Sequence, residues 1–367
     1  MLRAVAEIDT DAIASNCALL DRACGDAALC AVVKGNGYGH GAVIAARAAL
    51  RGGASWLGVV ASQEAEELRA AGLTDVPILV LGALGREELD QALAARADVV
   101  AWSTEFADAV ASRAGRDARV HVKLDTGMGR LGTRDAGYAD AVIERVGVPV
   151  GLMTHFATAD EVDDPYLDEQ LDAFLAWAEP WKERMPSLIL HAANSPATLR
   201  DAHTHLDLVR CGIAIYGLDP FQGDPLARGL TPAMKLVSYV AAVKRIEPGQ
   251  SAGYGRRWSP FEPTYTGTIP VGYADGFRRA HTNNGEALVG GRRVPIVGTV
   301  SMDNVTVDLG PDPDVQVGDE AVLIGAQGDD RILAEELARR LGTINYEVTA
   351  GLTARVTRRA VGAGADA

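Results

Sequence analysis

From Asp9 to about Leu230 the hydrophobic pattern repeats a single unit, an Ala-, Leu- and Glu-rich stretch with helical spacing, a break, and a short apolar run without alternation. Unalternated β-branched runs suit strands covered on both faces. The runs are CAVVK (30–34), WLGVV (56–60), PILVLG (77–82), DVVAW (98–102), VHVKLD (120–125), GLMTHF (151–156), LILHAAN (188–194) and LVRCGIAIYG (208–217), eight in all. Eight strands separated by helical segments predict an α/β chain built on a (β/α)8 barrel rather than a doubly wound sheet.

After Leu230 alternation replaces helical spacing in KLVSYVAAVKRI, YTGTIPVGY, RRVPIVGTVSMDNVTVDL and EAVLIGA, with one helix, ILAEELARRLG, among them. This predicts a mainly β domain over 231–367 following a barrel over 9–230. The opening RAVAEID is a strand too many for the barrel, and residues 1–8 are expected to join the β domain.

Composition narrows the function class. A chain of 367 residues with 48% hydrophobic and 23% charged residues can bury a large core, and its net charge of −14 argues against nucleic acid as a partner. The first residues lack an apolar signal-peptide core and no apolar run reaches membrane-spanning length, so a soluble cytoplasmic protein is expected. Cys17, Cys24, Cys30 and Cys211 match no zinc spacing and read as buried reduced thiols, with no metal expected.

A barrel carries its chemistry at the C-terminal ends of its strands. Here those ends hold Lys34, Lys123 with Asp125, His155, Asn194 with Ser195, and Arg210. Each also has a plainer reading. Lys34 could be a surface lysine opening a glycine-rich loop, Lys123 and Asp125 a surface ion pair, His155 a core histidine bonded to backbone, and Arg210 an ion-pair partner of Asp207. Five such positions on one rim favour a site.

Nine stretches, AVVKGNGYGHG, KLDTGMGRLG, THFATADE, HAANSPATL, LVRCGIAIYG, SAGYG, VGYADG, VGTVSMD and INYEV, occur in the order found in bacterial alanine racemases, fold type III pyridoxal-phosphate enzymes that the chain resembles along nearly its whole length. Gly35 and Gly37 stand where that family usually has alanine, Ser301 where many members have cysteine, and Ala354 where some have tyrosine.

The resemblance implies racemisation of alanine by two-base proton transfer on pyridoxal 5'-phosphate, supplying D-alanine for peptidoglycan. It assigns Lys34 as the lysine that carries the cofactor and as one base, and Tyr254 as the other, contributed by the partner chain of a homodimer with shared sites. Read without it, Tyr254 is a half-buried strand tyrosine. His155 and Arg210 would supply positive charge between Tyr254 and the cofactor ring, with Arg210 facing the pyridine nitrogen. The phosphate would be held by Tyr38, Asn194, Ser195 and the amides of Gly212 and Ile213. Arg130 and the Met302 amide would bind the substrate carboxylate, beside a Lys123 that is carbamylated in many members. Tyr273 would join Tyr254, with Asp160 and Arg279 farther out along the approach. A racemase of broader specificity that includes serine, a decarboxylase of basic amino acids and a non-catalytic pyridoxal-phosphate-binding protein are the alternatives. Ala354 would leave room for serine, unless another aromatic such as Trp258 or Phe277 fills the gap.

Overall fold

The computed structural model describes residues 2–115 and 118–365. They form two compact units, one of residues 13–38 and 42–221, the other of the segment before Ile13, Gly39–Gly41 and everything from Gln222 onward. Strand β1 (Val5–Asp9) belongs to the latter. The former holds β2 (Ala28–Val32), β3 (Trp56–Val59), β4 (Ile78–Val80), β5 (Asp98–Ala101), β6 (Val120–Lys123), β7 (Gly151–Met153), β8 (Ile189–His191) and β9 (Leu208–Cys211).

These eight strands are parallel, in the order β8-β7-β6-β5-β4-β3-β2-β9. The seam between β8 and β9 is drawn together by Asp207 N donating to Leu190 O (3.0 Å) and Arg210 N to Ala193 O (2.9 Å), which leaves a nearly closed barrel. Alternate residues point inward, so Cys30, Val32, Trp56, Leu79, Val100, Met153 and Leu208 pack together as one interior cluster. The helix Ala42–Arg51 buries five alanines against its surroundings. Alanine brings a helix backbone close while losing no side-chain entropy.

Helix starts are set locally. Ser103 Oγ accepts from Phe106 N (3.1 Å), Asp135 Oδ1 from Tyr138 N (3.1 Å) and Asn194 Oδ1 from Ala197 N (3.2 Å). Each satisfies an amide that the first helical turn would otherwise leave open.

The second unit contains β10 (Met234–Tyr239), β11 (Ala242–Ile246), β12 (Thr264–Ile269), β13 (Glu286–Val289), β14 (Arg292–Pro295), β15 (Val305–Gly310), β16 (Glu320–Gln327), β17 (Asp330–Ile332) and β18 (Thr357–Val361). One sheet runs β14-β13-β16-β10-β1-β18 with β17 on β16, and a second runs β11-β12-β15. In the first sheet β1 lies antiparallel to β10 and parallel to β18. Burial alternates strictly along β10 and β15, as one-sided strands require.

Leu79 is fully buried in the barrel cluster. Leu79→Ala removes packed volume that the surrounding strands cannot close over, and is expected to cost about 2–5 kcal/mol, read as a lower urea midpoint at unchanged slope.

Candidate active site

Lys34 follows β2 and opens a left-handed turn: φ is 62° at Gly35, 53° at Asn36, 62° at Gly37 and 50° at Tyr38. A left-handed residue with a Cβ is strained by roughly 1–2 kcal/mol, and glycine at two of the four positions with asparagine at a third keeps that strain low. The turn is fastened at its start by Glu64, whose Oε1 accepts from Gly35 N (2.6 Å) while Oε2 accepts from Val60 N (2.8 Å) and Ala61 N (3.2 Å). Asn36 Oδ1 accepts from Ala42 N (3.0 Å) beyond it. Lys34 Nζ lies 6.0 Å from the centre of the Tyr38 ring, and that ring packs on Tyr216 at 5.2 Å. Burial, then the Arg130 guanidinium, lowers the Lys34 pKa against the opposing pull of Glu64.

Arg210 on β9 is 3% exposed. Its guanidinium donates to Thr154 O and Ala192 O, both 2.9 Å, to His191 Nδ1 (2.9 Å) and to His155 Nδ1 (3.2 Å). The anticipated ion pair with Asp207 does not form. Asp207 takes Lys182 Nζ (2.9 Å) and Leu190 N (2.7 Å) and helps to close the barrel seam. His155 is not the anticipated cation either, because burial and then Arg210 hold its pKa well below the usual histidine value.

Next to β9, Ser195 Oγ accepts from Gly212 N (3.0 Å) and Ala214 N (3.3 Å), with Ile213 buried between them. A Cβ on Gly212 would lie 2.3 Å from Tyr38 Oη, so this backbone and the Tyr38 phenol touch. Tyr38, Ser195, Gly212 and Ile213 therefore gather at one place. Asn194 stands beside them with its side-chain oxygen committed to its helix cap.

Lys123 and Asp125 are both buried, at 4% and 8% exposure, which rules out a surface pair. The Asp125 carboxylate accepts from Gly127 N (3.1 Å), Gly129 N (3.0 Å) and Arg134 Nε (3.1 Å), shaping the loop that presents the exposed Arg130. Burial, then Arg210 and Arg130, draws Lys123 down to about 8.

In the second unit Tyr254 is 75% exposed, Met302 51% and Tyr273 41%. Tyr254 lies in a short 3-10 turn, not a half-buried strand. The segment 299–302 links all three: Thr299 Oγ1 donates to Tyr254 O (2.6 Å), Tyr273 N to Ser301 O (3.1 Å) and Ala274 N to Met302 O (3.0 Å).

Residues 8–220 match the family model "Alanine racemase, N-terminal domain" and residues 233–360 match "Alanine racemase, C-terminal domain". The chain belongs to the alanine racemase family. It is 44% identical to the alanine racemase of Frankia casuarinae, with 98% of this chain and 97% of that protein covered. Its structure is similar to that of the alanine racemase from Streptomyces coelicolor A3(2), with TM-score 0.92, 38% identity and 98% of each chain covered. It is also similar to the Bacillus anthracis alanine racemase with bound L-Ala-P, with TM-score 0.89, 35% identity and coverage of 99% of this chain and 96% of that one.

The sequence reading missed Glu64, Asp98, His121 and His191, all tied to this family site by hydrogen bonds. A signal existed for His121, which sits two residues before Lys123 on β6 and so shares its face.

The Lys123 amine carries a stability signature. Its folded pKa of about 8 lies below the unfolded value near 10.5, so between those values the unfolded chain binds more protons and stability rises with pH. Below about pH 8 the full penalty is present. In carbon-dioxide-free buffer, Lys123→Met is expected to remove that rise and to be more stable than wild type at pH 7 by up to about 3 kcal/mol, measured by urea unfolding across pH 7–10.5.

Proposed function

We propose that the chain interconverts L- and D-alanine with pyridoxal 5'-phosphate held at the barrel mouth, in a homodimer whose partner chain completes each site. The observation that carries this reading is a half-buried lysine amine of lowered pKa at the end of a barrel strand, beside a compact cluster of hydroxyl and amide groups. The residues fit the group. Lys34 would anchor its aldehyde, Tyr38, Ser195, Gly212 and Ile213 its phosphate, and Arg210 would face its ring. When bound, it draws electrons from the substrate α-carbon and so makes the α-proton removable.

The chain's own groups divide the remaining work. Lys34 Nζ, biased toward the neutral amine, takes or returns the α-proton on one face. Tyr254 Oη of the partner chain does the same on the other. His155, bonded at Nδ1 to Arg210, carries its proton on Nε2 and donates toward that phenol. Arg210 is drawn down only to about 10, so it keeps its proton at neutral pH and does not protonate the pyridine nitrogen. A fixed cation at that place would favour proton return over amino transfer. Arg130 and the partner's Met302 amide hold the substrate carboxylate, with the partner's Tyr273 beside them. Exposed Tyr254, Tyr273 and Met302 suit a surface covered by a second chain.

Among the described residues no helix is long and apolar enough to cross a membrane. Four buried free cysteines suit the reducing cytoplasm, where D-alanine would enter peptidoglycan synthesis.

An assay coupling D-alanine formation to D-amino-acid oxidase tests the reading, and absence of D-alanine with cofactor bound would reduce the protein to a non-catalytic binder. Lys34→Ala is expected to lose essentially all turnover and the visible absorbance of the bound cofactor. Tyr254→Phe is expected to keep that absorbance and lose racemisation, while α-hydrogen exchange continues with one enantiomer only. Mixing the two inactive chains should restore part of the activity through hybrid dimers containing one intact site; proven hybrids without activity would refute shared sites. In the same assay kcat/KM for L-alanine over L-serine gauges the room that exposed Ala354 leaves, and a preference within about 10–200-fold would place the chain among the broader racemases.

A further inference from the structure

A line of buried polar groups crosses the barrel interior below the site. Arg210 donates to His191 Nδ1 (2.9 Å), His191 Nε2 meets His121 Nδ1 (2.8 Å), and His121 Nε2 meets Asp98 Oδ2 (3.2 Å). Asp98 Oδ1 accepts from Arg119 Nε (2.7 Å), whose guanidinium is half exposed and lies over the Trp56 ring. The two imidazoles are fully buried and mutually perpendicular, and Asp98 is 1% exposed.

The protons on this line follow from its ends. An arginine can only donate, so His191 Nδ1 must be bare and its proton must sit on Nε2. That proton points at His121 Nδ1, which must then be bare, leaving the His121 proton on Nε2. Asp98, paired with Arg119, can only accept, and its Oδ2 accepts from that last N–H. No other assignment satisfies all three contacts. A second proton on either ring would set two donors face to face, and burial accordingly holds both histidines below their usual pKa.

We propose that Asp98 is a positioning residue for Arg210: by accepting from His121 it fixes one tautomer on each buried imidazole and so keeps His191 Nδ1 an acceptor that aligns the guanidinium. Arg210 has four acceptors, and the two carbonyls cannot change their hydrogen-bonding sense, whereas each imidazole can. Without Asp98, His121 is free to carry its proton on Nδ1. His191 would then have to accept at Nε2 and turn an N–H toward Arg210. One carboxylate at the start of β5 thus determines what Arg210 meets at β8. The effect on turnover rests on the reading that Arg210 faces the cofactor ring. The tautomers do not.

Long-range proton–nitrogen NMR of selectively labelled histidine in the full chain tests this directly. Wild type should show His121 and His191 as single neutral tautomers with Nδ1 bare, and a His191 protonated at Nδ1 would overturn the proposal whatever the enzyme's activity. Asp98→Ala is expected to lose the single tautomer at both rings and to lower kcat by about 10–100-fold, the size usual for removing an outer hydrogen-bond partner of a site. Asp98→Asn, whose amide oxygen can still accept from His121 while the half-exposed Arg119 turns to solvent, should recover most of both. Circular dichroism confirms folding, and if Asp98→Ala does not fold the Asp98→Asn chain carries the same comparison. In Asp98→Ala, loss of the single His191 tautomer together with turnover supports the assignment and a His191 tautomer kept there overturns it; in Asp98→Asn, the two kept together or lost together support it. Either one changing without the other overturns it.

Discussion

The site depends first on a guanidinium buried inside a barrel. Burying a cation without compensation costs several kcal/mol, and Arg210 is surrounded by acceptors: two backbone carbonyls and two imidazoles. Its charge then acts on whatever lies nearby. His155 and His191 are held neutral, and Lys123 is brought toward neutrality, each first by burial and then by Arg210. A fixed cation in low dielectric makes its neighbours reluctant to accept protons. A racemase needs groups that take up and release protons near neutral pH, and one buried charge biases several of them at once.

The second requirement is a lysine held still. A lysine side chain is long and carries much rotamer entropy, so its backbone must be firmly placed if its amine is to act at one atom. The left-handed turn provides this, since Glu64 binds its first amide and Asn36 ties the turn to Ala42, the first residue of the next helix. Gly212 completes the arrangement by letting the backbone come up against the Tyr38 phenol, a contact that any Cβ would block.

The barrel was legible because each strand is a short unalternated apolar run between helical stretches, a pattern that few other folds produce. The residues at the strand ends were legible for the same reason, as lysine, histidine and arginine are conspicuous where such runs stop. Partners were not. Glu64 lies 29 residues from Gly35, and Asp98, His121 and His191 come from three different strands. Local sequence suggested Asp207 for Arg210 and Asp125 for Lys123 because they are near in the chain, yet barrel closure claimed the first and loop amides the second. Alternation sets Asp207 and Arg210, three residues apart, on opposite sides of the barrel wall, whereas Asp125 lies beyond the end of β6 and its carboxylate is taken by the amides of the loop it shapes.

The two units meet opposite demands. Under the proposed reading the Lys34 amine would have to lose its charge, and the barrel unit that carries it lowers its pKa by burial. In the proposed dimer Tyr254 would enter another chain's site and so has to stay accessible on its own, and the second unit leaves it three-quarters exposed while fixing its backbone through Thr299. The loop around Tyr273 is fixed in the same manner. Asp275, fully buried, accepts from Gly272 N (2.9 Å) and pairs with Arg3 and Arg355, and Arg355 reaches on to Asp303 beside Met302. Rigid backbone beneath exposed side chains lowers the entropy lost when a partner covers them. In such a dimer the environment of the tyrosine phenol would be set by the chain it meets, and that of the lysine amine by the chain that carries it.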